Sequence, residues 1–431
     1  MRRVSTLYLI VLNVYWIGLS FMWNSLHVII LPAVLLNYVP DSQKNSYLGV
    51  LTFFGLIMAL VIQPISGALS DRWSSRWGRR RPLIVIGTAF DFVFLALLGW
   101  AGGLWMLFVG YLGLQISSNV AHGPVQGLLP DRVPPEQLGS ASGMKNMMDM
   151  GGLVVSSLIV GRMVPPDVRQ PVGAMLVVAL LLAMGAAITV AGAREEPTGA
   201  GQVGALPSGA RNLRQVWREA LHVDLRAHTG YWWLIASRFF YLFGIYGIQV
   251  FAQYFIRDRM NVPNPVQATG DLMAVIVIAL MVFAVAAGWL CDKWGRKRVQ
   301  ALAGAFGSVG ALMLLAAHTP TLLLIYGSVL GAGIGIFLSA NWALANDLAP
   351  AAEAGKFLGL TNLATAGAGA VGRLEGPLID LLNNAWPGQW WGWTMLFTLG
   401  AVCILVSTVL LVKIPEHADP KFQISNVKSQ S

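Results

Sequence analysis

The stretch SDRWSSRWGRRRP, residues 70–82, decides how the rest of the chain is interpreted. Six of its thirteen side chains are charged, although the sequence on both sides of it is apolar. Each apolar flank runs for about 20 residues, which is the length that an α-helix needs to cross the hydrocarbon of a bilayer. The stretch is therefore predicted to be a charged loop that joins two membrane-spanning helices.

The composition extends this prediction to the entire chain. Of its 431 residues, 56% are hydrophobic and 11% are charged, whereas soluble domains carry about 25% charged residues. The two cysteines offer neither a disulfide framework nor a metal-ligand spacing. Twelve apolar runs are predicted spans, and they lie near residues 7–30, 46–68, 83–101, 104–128, 141–161, 172–192, 231–255, 268–290, 299–317, 321–345, 356–380 and 390–412.

The positive charges are unevenly divided between the loops. The net charge is +9, and the odd-numbered loops hold only Lys44, Arg169, Arg257 and Arg259. By the positive-inside rule, this asymmetry places both termini in the cytoplasm and predicts a multi-pass protein of the plasma (cytoplasmic) membrane. The basic loops are expected to contact anionic lipid headgroups rather than nucleic acid.

The chain contains an internal repeat that includes the opening stretch. Residues 67–81 read GALSDRWSSRWGRRR, and residues 288–298 read GWLCDKWGRKR. A second pattern, Asp-x-x-Pro-x4-Gly-x3-Gly-x2-Asn, begins at Asp131 and again at Asp347. The repeat predicts an all-α membrane protein with twelve transmembrane helices in two pseudo-symmetric six-helix bundles. The glycine pairs of the second pattern have the spacing that permits close helix contact.

The predicted bundles are residues 1–192 and residues 231–431, the second of which ends in a short cytoplasmic tail. Residues 193–230 are predicted to be a cytoplasmic linker. Its apolar residues recur at helical spacing among arginines, which favours an amphipathic helix on the membrane surface over a plain solvated linker.

The sequence of residues 288–298, Gly-x3-Asp-Lys-x-Gly-Arg-Lys-Arg, resembles the loop signature of the major facilitator superfamily. The longer copy at 67–82 resembles the sucrose-transporter branch and related glycoside symporters. The resemblance implies transport by alternating access, with a solute site between the halves that spans one, four, seven and ten line.

The resemblance also implies a conformational latch at the cytoplasmic ends of the spans, with a pure topology signal as the alternative. Aspartates there can accept hydrogen bonds from a neighbouring helix end and pair with arginines. The predicted latch residues are Asp71, Arg72, Gly78, Arg79, Arg80, Arg81, Asp131, Asp292, Lys293, Gly295, Arg296, Lys297 and Asp347.

Several predicted spans carry polar side chains on one helix face. A polar stripe in hydrocarbon is costly unless its members are paired or face a hydrated cavity. Amides, imidazoles and a tryptophan ring suit a sugar, although each residue has an ordinary interhelical hydrogen bond as its alternative. The predicted substrate-binding residues are Trp23, Asn24, His27, Gln115, Asn119, His122, Gln126, Tyr246, Gln249, Gln253, Asn341 and Trp342.

Ion coupling is predicted from the ionisable residues inside the spans. Sucrose transporters have an aspartate in span four, and the alignment places Gln115 at that position, where it cannot titrate. Either the protein is a facilitator, or another acid has taken the role. Asp149 is the first candidate, with membership of the latch as its alternative, and Asp91 is the second. Arg238 is expected to pair with the coupling acid or release it.

The predicted function is secondary transport of a small polar solute, with a sugar or glycoside favoured and proton coupling left open. The alternatives are a proton-coupled exporter of drugs or metabolites from the same superfamily and, from another class, a polytopic membrane enzyme. The expected partners are a sugar-like small molecule, protons and the lipid bilayer. No cofactor, metal, nucleic acid or enzymatic activity is expected.

Overall fold

A computed structural model describes residues 3–73, 75–193, 195, 228–260, 262–350 and 353–414, without the side chains of residues 354–356. All regular structure in these residues is helical, which confirms the predicted fold class. The helices are α1 (Thr6–Leu35), α2 (Lys44–Arg72), α3 (Arg81–Gly99), α4 (Leu104–Arg132), α5 (Leu138–Met163), α6 (Val172–Gly192), α7 (Thr229–Arg259), α8 (Pro265–Trp294), α9 (Arg296–Leu315), α10 (Pro320–Leu348), α11 (Ala354–Arg373), α12 (Gly376–Ala385) and α13 (Trp391–Leu410).

Ten of the described helices are long and apolar enough to cross a membrane. They are α1 to α4, α6 to α10 and α13. The two other predicted spans correspond to α5, which carries Lys145, Asp149 and Arg162, and to α11 with α12. The predicted amphipathic helix of the linker lies outside the described residues.

The helix α1 changes its winding in the middle. After Asn24 the chain forms a π-helical segment, Ser25–Ile30, and returns to α-helix at Leu31. Pro32 follows directly, and it has no N–H to donate to the preceding turn. A π-helical turn shifts the direction of the side chains it carries, and such turns are frequent at functional sites. His27 lies in this segment, so its direction departs from a regular α-helical phase.

Predicted span eleven, residues 356–380, is interrupted. The helix α11 ends at Arg373, Leu374 and Glu375 form a turn, and α12 begins at Gly376 with Pro377 in its first turn. Because proline removes one donor from the hydrogen-bond ladder, it accounts for the interruption at this position.

Contacts divide the chain into two units. Unit 1 comprises Met1–Gly209, Gln249–Val277 and Arg373–Gly392. In it, α1 packs against α5 and α6, and α4 packs against α2 and α3, while α12 packs against the start of α2. Unit 2 comprises Ala210–Ile248, Ile278–Gly372 and Trp393–Ser431, and α9 packs against α10 in it. The end of α7, the start of α8 and α12 therefore belong to the same unit as α1 to α6.

Close backbone contacts between helices occur at glycines that lie outside the repeated pattern. In unit 1, a Cβ atom on Gly376 would overlap the Asn45 carbonyl oxygen. In unit 2, a Cβ atom on Gly335 of α10 would overlap the Leu280 carbonyl oxygen of α8. By contrast, nothing lies within 4 Å of a Cβ atom at Gly139, Gly143 or Gly359. The expectation that these repeated glycines mark close helix contacts is therefore wrong for this conformation.

We predict that Gly335→Ala lowers the thermal unfolding temperature of the purified protein. The added methyl group would force α8 and α10 apart, and overpacking of this kind costs about 1–3 kcal/mol. Gly288→Ala in α8 is the matched control, because the nearest atom to its added Cβ is 3.7 Å away. Equal unfolding temperatures for the two variants would contradict the close contact.

Candidate functional site

The polar faces of α1 and α4 meet in unit 1. His27 Nε2 and the Tyr111 hydroxyl oxygen are 2.7 Å apart, and Gln115 Nε2 donates to the same oxygen at 2.7 Å. Because Gln115 donates to that oxygen, the hydroxyl proton is available for His27. The Trp23 ring stacks on the His27 ring with centroids 5.2 Å apart. Three neutral polar groups and an indole ring are thus held together inside an apolar bundle.

Asn119 extends this arrangement by one helical turn of α4. Its Nδ2 atom donates to the backbone oxygen of Gln115 at 2.7 Å and lies 3.4 Å from the Gln115 side-chain oxygen. Asn119 is buried, and Gln115 is buried beside it. The stripe predicted on α4 therefore continues from Gln115 to Asn119. Asn119 helps to orient the Gln115 amide. The described group of Trp23, His27, Tyr111, Gln115 and Asn119 is called the α1–α4 polar face below.

The other half of the α4 stripe belongs to a second group of side chains. Gln126 Nε2 and His122 Nε2 are 3.3 Å apart, and the His122 ring meets the Trp16 ring edge-on. Lys145 of α5 lies over Trp16, with Nζ 4.1 Å from the ring centroid, and 3.4 Å from a carboxylate oxygen of Asp149. This group brings a lysine–aspartate pair next to the imidazole of the stripe.

Asp149 has a second partner, because the Ser20 hydroxyl donates to its carboxylate. Its side chain is 27% exposed and that of Lys145 is 28% exposed, so both groups are accessible. In the described structure the partners of Asp149 are thus Ser20 and Lys145 rather than the arginines of the predicted latch. Asp91 differs, since it is fully buried and accepts a hydrogen bond from Ser117 at 2.5 Å.

Asn24, a predicted substrate-binding residue, is occupied by a contact between helices. Its Nδ2 atom lies 2.8 Å from the hydroxyl oxygens of Ser156 and Ser157 on α5. It also lies 3.2 Å from the Leu153 carbonyl oxygen. The buried amide therefore fastens α1 to α5, which corresponds to the alternative of an ordinary interhelical hydrogen bond.

Gln253 likewise serves the fold of α1. In the amide orientation that satisfies its hydrogen bonds, its nitrogen donates to the carbonyl oxygens of Val28 and Ile29 at 3.3 and 3.2 Å. Val28 lies four residues before Pro32, which has no N–H to offer to that carbonyl. Gln253 therefore supplies a donor to the π-helical segment. Gln249, one turn earlier on α7, is half-buried.

In unit 2, Arg238 of α7 is held by two neutral side chains. Its Nε atom donates to the Thr365 hydroxyl at 2.8 Å, and its Nη1 atom donates to Asn341 Oδ1 at 2.7 Å. The guanidinium lies 5.8 Å from the centroid of the Trp342 ring. Tyr246, the remaining predicted residue of α7, lies beside Gly372 of unit 2. The predicted residues Arg238, Asn341 and Trp342 are therefore brought together.

The arginine-rich loop of residues 70–82 forms a network of ion pairs. Arg80 is buried, and it contacts Asp71 at 2.6 Å and Asp131 at 2.9 Å. Arg79 contacts the other oxygen of Asp131 at 2.6 Å. Partial burial lowers the pKa of the Arg79 guanidinium, but the hydrogen bond and charge of Asp131 outweigh that effect and raise the pKa above its ordinary value. Arg79 therefore remains charged.

The second copy of the motif repeats this geometry within unit 2. Arg296, which corresponds to Arg79 in the repeat, pairs with Asp347, which corresponds to Asp131. The preceding glycines also match, since Gly78 has φ 92° and Gly295 has φ 86°. Positive φ at these two positions favours glycine because other side chains are strained there. The repeat seen in the sequence thus encodes the same glycine turn and the same arginine–aspartate pair twice.

The remaining predicted latch residues have varied surroundings. Arg81 donates to the carbonyl oxygens of Val190 and Ala191, and Lys297 donates to the carbonyl oxygen of Ile414. Lys293 lies over the Trp289 ring at 3.8 Å. Arg72 and Asp292 are exposed. Glu195, which the sequence did not single out, accepts hydrogen bonds from the backbone N–H groups of Arg80 and Arg81.

A second charged cluster lies at the opposite end of α2 in unit 1. Lys44 pairs with Asp258 of α7 at 2.7 Å, and their side chains are only 4% and 5% exposed. Asp41 contacts Lys44 at 3.3 Å and Arg257 at 2.5 Å. These four residues, called the Lys44–Asp258 cluster below, join the start of α2 to the end of α7.

Asp380 of α12 completes the contacts at this end of α2. Its two carboxylate oxygens accept hydrogen bonds from Asn45 Nδ2 at 2.8 Å and from the Ser46 N–H and hydroxyl at 2.7 and 2.6 Å. Asp380 is buried, so these three donors compensate for its loss of water. Segments from both halves of the sequence are therefore tied together by buried charged groups.

Sequence reasoning missed Tyr111, Thr365, Glu195 and the Lys44–Asp258 cluster. Tyr111 precedes Gln115 by four residues, so an extension of the α4 stripe toward the N-terminus of that helix predicts it. The Lys44–Asp258 pair joins residues 214 positions apart in the chain. Helical periodicity offers no signal for such a pairing.

The comparisons with known proteins agree with this architecture. A sequence model of the Major Facilitator Superfamily matches residues 5–373. The chain therefore belongs to the Major Facilitator Superfamily and is a multi-pass membrane transporter of that family. The solved structure of a D-xylose-proton symporter has a TM-score of 0.72 at 16% sequence identity, over 96% of this chain and 99% of that chain. This likeness shows the fold.

The relatives of this chain in sequence have names that refer to different solutes. The General alpha-glucoside permease of Schizosaccharomyces pombe is 27% identical over 177 residues, which is 36% of this chain and 30% of the permease. The multi-drug resistance efflux pump PmrA of Streptococcus pneumoniae is 22% identical over 399 residues, which is 92% of this chain and 94% of the pump. The family is therefore established, and both a sugar and a drug remain candidate solutes.

We predict that Lys44→Met lowers the thermal unfolding temperature of the purified protein. It leaves Asp258 buried without its 2.7 Å partner, and breaking a buried pair costs about 3 kcal/mol at the low end of the usual range. The low end applies because Arg257 remains 3.9 Å from Asp258. The double variant Lys44→Met/Asp258→Leu is expected to recover most of the loss.

Arg169→Gln is the matched control, because Arg169 is an exposed cation in another predicted loop of the same side. It is expected to leave the unfolding temperature unchanged. A double variant that is no more stable than Lys44→Met would show that the two charges do not compensate one another.

Proposed function

We propose that this transporter carries a sugar or glycoside across the cytoplasmic membrane by alternating access. The α1–α4 polar face is the observation that supports this most directly. It offers an imidazole, a phenol and two amides within hydrogen-bonding reach of one another, together with the Trp23 ring. Sugar hydroxyls require many neutral donors and acceptors, and the apolar face of a pyranose ring stacks on an indole.

The predicted orientation of the protein in the membrane and its predicted conformational latch belong to the same proposal. The uneven distribution of lysine and arginine favours cytoplasmic termini and places the arginine-rich loop in the cytoplasm. The Arg79–Asp131 and Arg296–Asp347 pairs support a pair of equivalent charged elements at the cytoplasmic ends of the two six-helix bundles. The Lys44–Asp258 cluster is then a charged element at the outer ends of the helices.

An exporter of drugs is the second candidate function, and the match to PmrA over 92% of this chain favours it. A cavity for lipophilic drugs would be lined mainly by apolar and aromatic groups. The α1–α4 polar face is rich in neutral hydrogen-bonding groups, which supports a hydroxylated solute instead. Membership of a transporter family favours either candidate over the alternative of a membrane enzyme.

A panel of thermal unfolding measurements on the purified protein tests the choice between the two solutes. A ligand that binds the folded state raises its stability by RT ln(1 + [L]/Kd), so even weak ligands register at millimolar concentration. Stabilisation by monosaccharides or disaccharides supports the sugar proposal. Stabilisation by lipophilic cations, with no effect of any sugar, would reject it.

We predict that Tyr111→Phe weakens sugar binding by about two- to tenfold, which corresponds to the loss of one ordinary hydrogen bond. The phenol joins His27 to Gln115, so its removal loosens both side chains. Tyr15→Phe is the matched control, because that buried hydroxyl bonds instead to Thr88 at 2.7 Å. Binding would be measured by isothermal titration, and equal affinities for the two variants would remove Tyr111 from the site.

Asp149 is the proposed coupling acid, since it is accessible and lies beside Lys145 and Ser20. A proton on Asp149 would remove the ion pair with Lys145 and leave that cation free to change partners. Asp91 is fully buried against Ser117, which makes exchange of its proton with either aqueous side slower. Gln115, which replaces the aspartate of the sucrose-transporter branch, is a neutral member of the polar face.

We predict that Asp149→Asn abolishes uphill accumulation of the solute in liposomes with an imposed pH gradient, while exchange of solute at equal pH continues. Asp167→Asn, which changes an exposed aspartate, is the control and should accumulate solute normally. Accumulation that survives in Asp149→Asn would clear Asp149. Equilibration without accumulation in the unmodified protein would identify a facilitator.

A further inference from the structure

Arg238 differs from the arginines that pair with carboxylates in the described structure. Aspartate carboxylates pair with Arg79, Arg80, Arg162, Arg257 and Arg296. Arg238 is only 5% exposed, yet within the described parts of the chain it forms no ion pair with a carboxylate. Its contacts are a hydroxyl, an amide oxygen and an indole ring, all of them neutral.

A buried cation without a counter-charge is costly. Breaking a buried pair by removing one partner destabilises a protein strongly because it leaves a charge uncompensated. An ionisable residue inside a membrane-spanning helix is a functional candidate for the same reason. The cost of Arg238 is therefore expected to be offset by a ligand that brings the missing negative charge.

Two hydrogen bonds orient the Arg238 guanidinium. Thr365 donates its own hydroxyl proton to the Thr361 carbonyl oxygen at 3.0 Å, so its lone pairs are directed to accept from Arg238 Nε. Asn341 Oδ1 accepts from Nη1 at 2.7 Å. Nη2 has no hydrogen-bond partner among the described residues, so one edge of the planar fork is left for a ligand.

Asn341 indicates independently that an acceptor is missing here. Because arginine can only donate, Asn341 has to turn its oxygen toward Arg238, which leaves its Nδ2 atom facing elsewhere. Asn341 is fully buried, and Nδ2 has no partner in the described structure. Arg238 and Asn341 thus both hold surplus donors, which the oxygens of an anionic ligand would satisfy.

We propose that Arg238 and Asn341 bind a carboxylate on the transported solute, so that the solute is a sugar acid rather than a neutral sugar. One guanidinium balances one carboxylate charge, whereas a phosphate ester with two charges would leave one uncompensated. The sugar part of this inference rests on the proposed function, and the carboxylate part rests on Arg238 and Asn341. Thr365 acts as a positioning residue through Arg238.

Binding to the full-length purified protein tests the inference with a pair of matched probes. Glucuronate carries a carboxylate, and glucuronamide replaces it with a neutral amide of nearly the same shape. The unmodified protein is expected to bind glucuronate about tenfold more tightly, as the loss of a charge-assisted hydrogen bond implies. Arg238→Gln is expected to bind both probes equally, and Asn341→Leu to reduce the difference.

Thermal unfolding of the ligand-free protein distinguishes a loss of binding from a failure to fold. Removing an uncompensated buried charge should leave the thermal unfolding temperature of ligand-free Arg238→Gln unchanged or higher. Arg169→Gln, which removes an exposed cation, is the control for net charge and should keep the preference for glucuronate. Arg238→Lys keeps the charge but loses the fork, so part of the preference is expected to remain.

Several outcomes would overturn the inference. Equal affinity of the unmodified protein for both probes, or a preference that persists in Arg238→Gln, would remove Arg238 from a carboxylate site. Tighter binding of glucose 6-phosphate, or equal stabilisation by chloride or inorganic phosphate alone, would replace the carboxylate with another anion. Binding of neutral sugars with no anion effect would leave the proposed sugar function standing and reject the carboxylate.

Failure of the sugar proposal gives a different pattern. If every sugar, neutral or acidic, fails to bind while benzoate binds in an Arg238-dependent manner, the sugar proposal is rejected and the carboxylate site is supported. Benzoate is suited to this comparison because it carries a carboxylate and no hydroxyl group.

Discussion

Hydrocarbon offers no hydrogen bonds, so each polar group that this chain takes into the membrane has to find its partner within the protein. Burial within the protein imposes the same requirement at the helix ends, where the pair of Lys44 and Asp258 brings the start of α2 to the end of α7. Asp380 satisfies the same requirement with three donors from Asn45 and Ser46. In unit 1, these contacts join segments from both halves of the sequence.

The repeated loop motif combines a glycine turn with an arginine–aspartate pair. At Gly78 and Gly295 the backbone adopts positive φ, and the arginine that follows each glycine reaches the aspartate at the end of another helix. The glycine sets the direction of the chain, and the aspartate compensates the cation. Each unit contains one copy of this arrangement, so the two charged elements are alike in geometry although they share only part of their sequence.

The polar groups described in the two units differ in their chemistry. The α1–α4 polar face consists of neutral groups that hydrogen-bond to one another, which suits hydroxyl groups. The group around Arg238 is cationic and has surplus donors, which suits a negative charge. Lys145 and Asp149 form an accessible ion pair, and a proton on the aspartate would open it.

The sequence by itself determined the features that depend on local spacing. The spans follow from the lengths of apolar runs, the repeat from matching residues, and the stripe of Gln115, Asn119, His122 and Gln126 from the period of a single α-helix. The tertiary structure decided which of these residues are free for a solute. It assigned Asn24 to a contact with α5, used Gln253 to support the π-helical segment of α1, and added Tyr111 to the polar face. It also interrupted span eleven at Glu375 and left open space at the repeated glycines Gly139, Gly143 and Gly359. The physical reason is that periodicity fixes only which side chains share a face of one helix. The partner that each face meets depends on how helices distant in sequence pack, as the 214 positions between Lys44 and Asp258 illustrate.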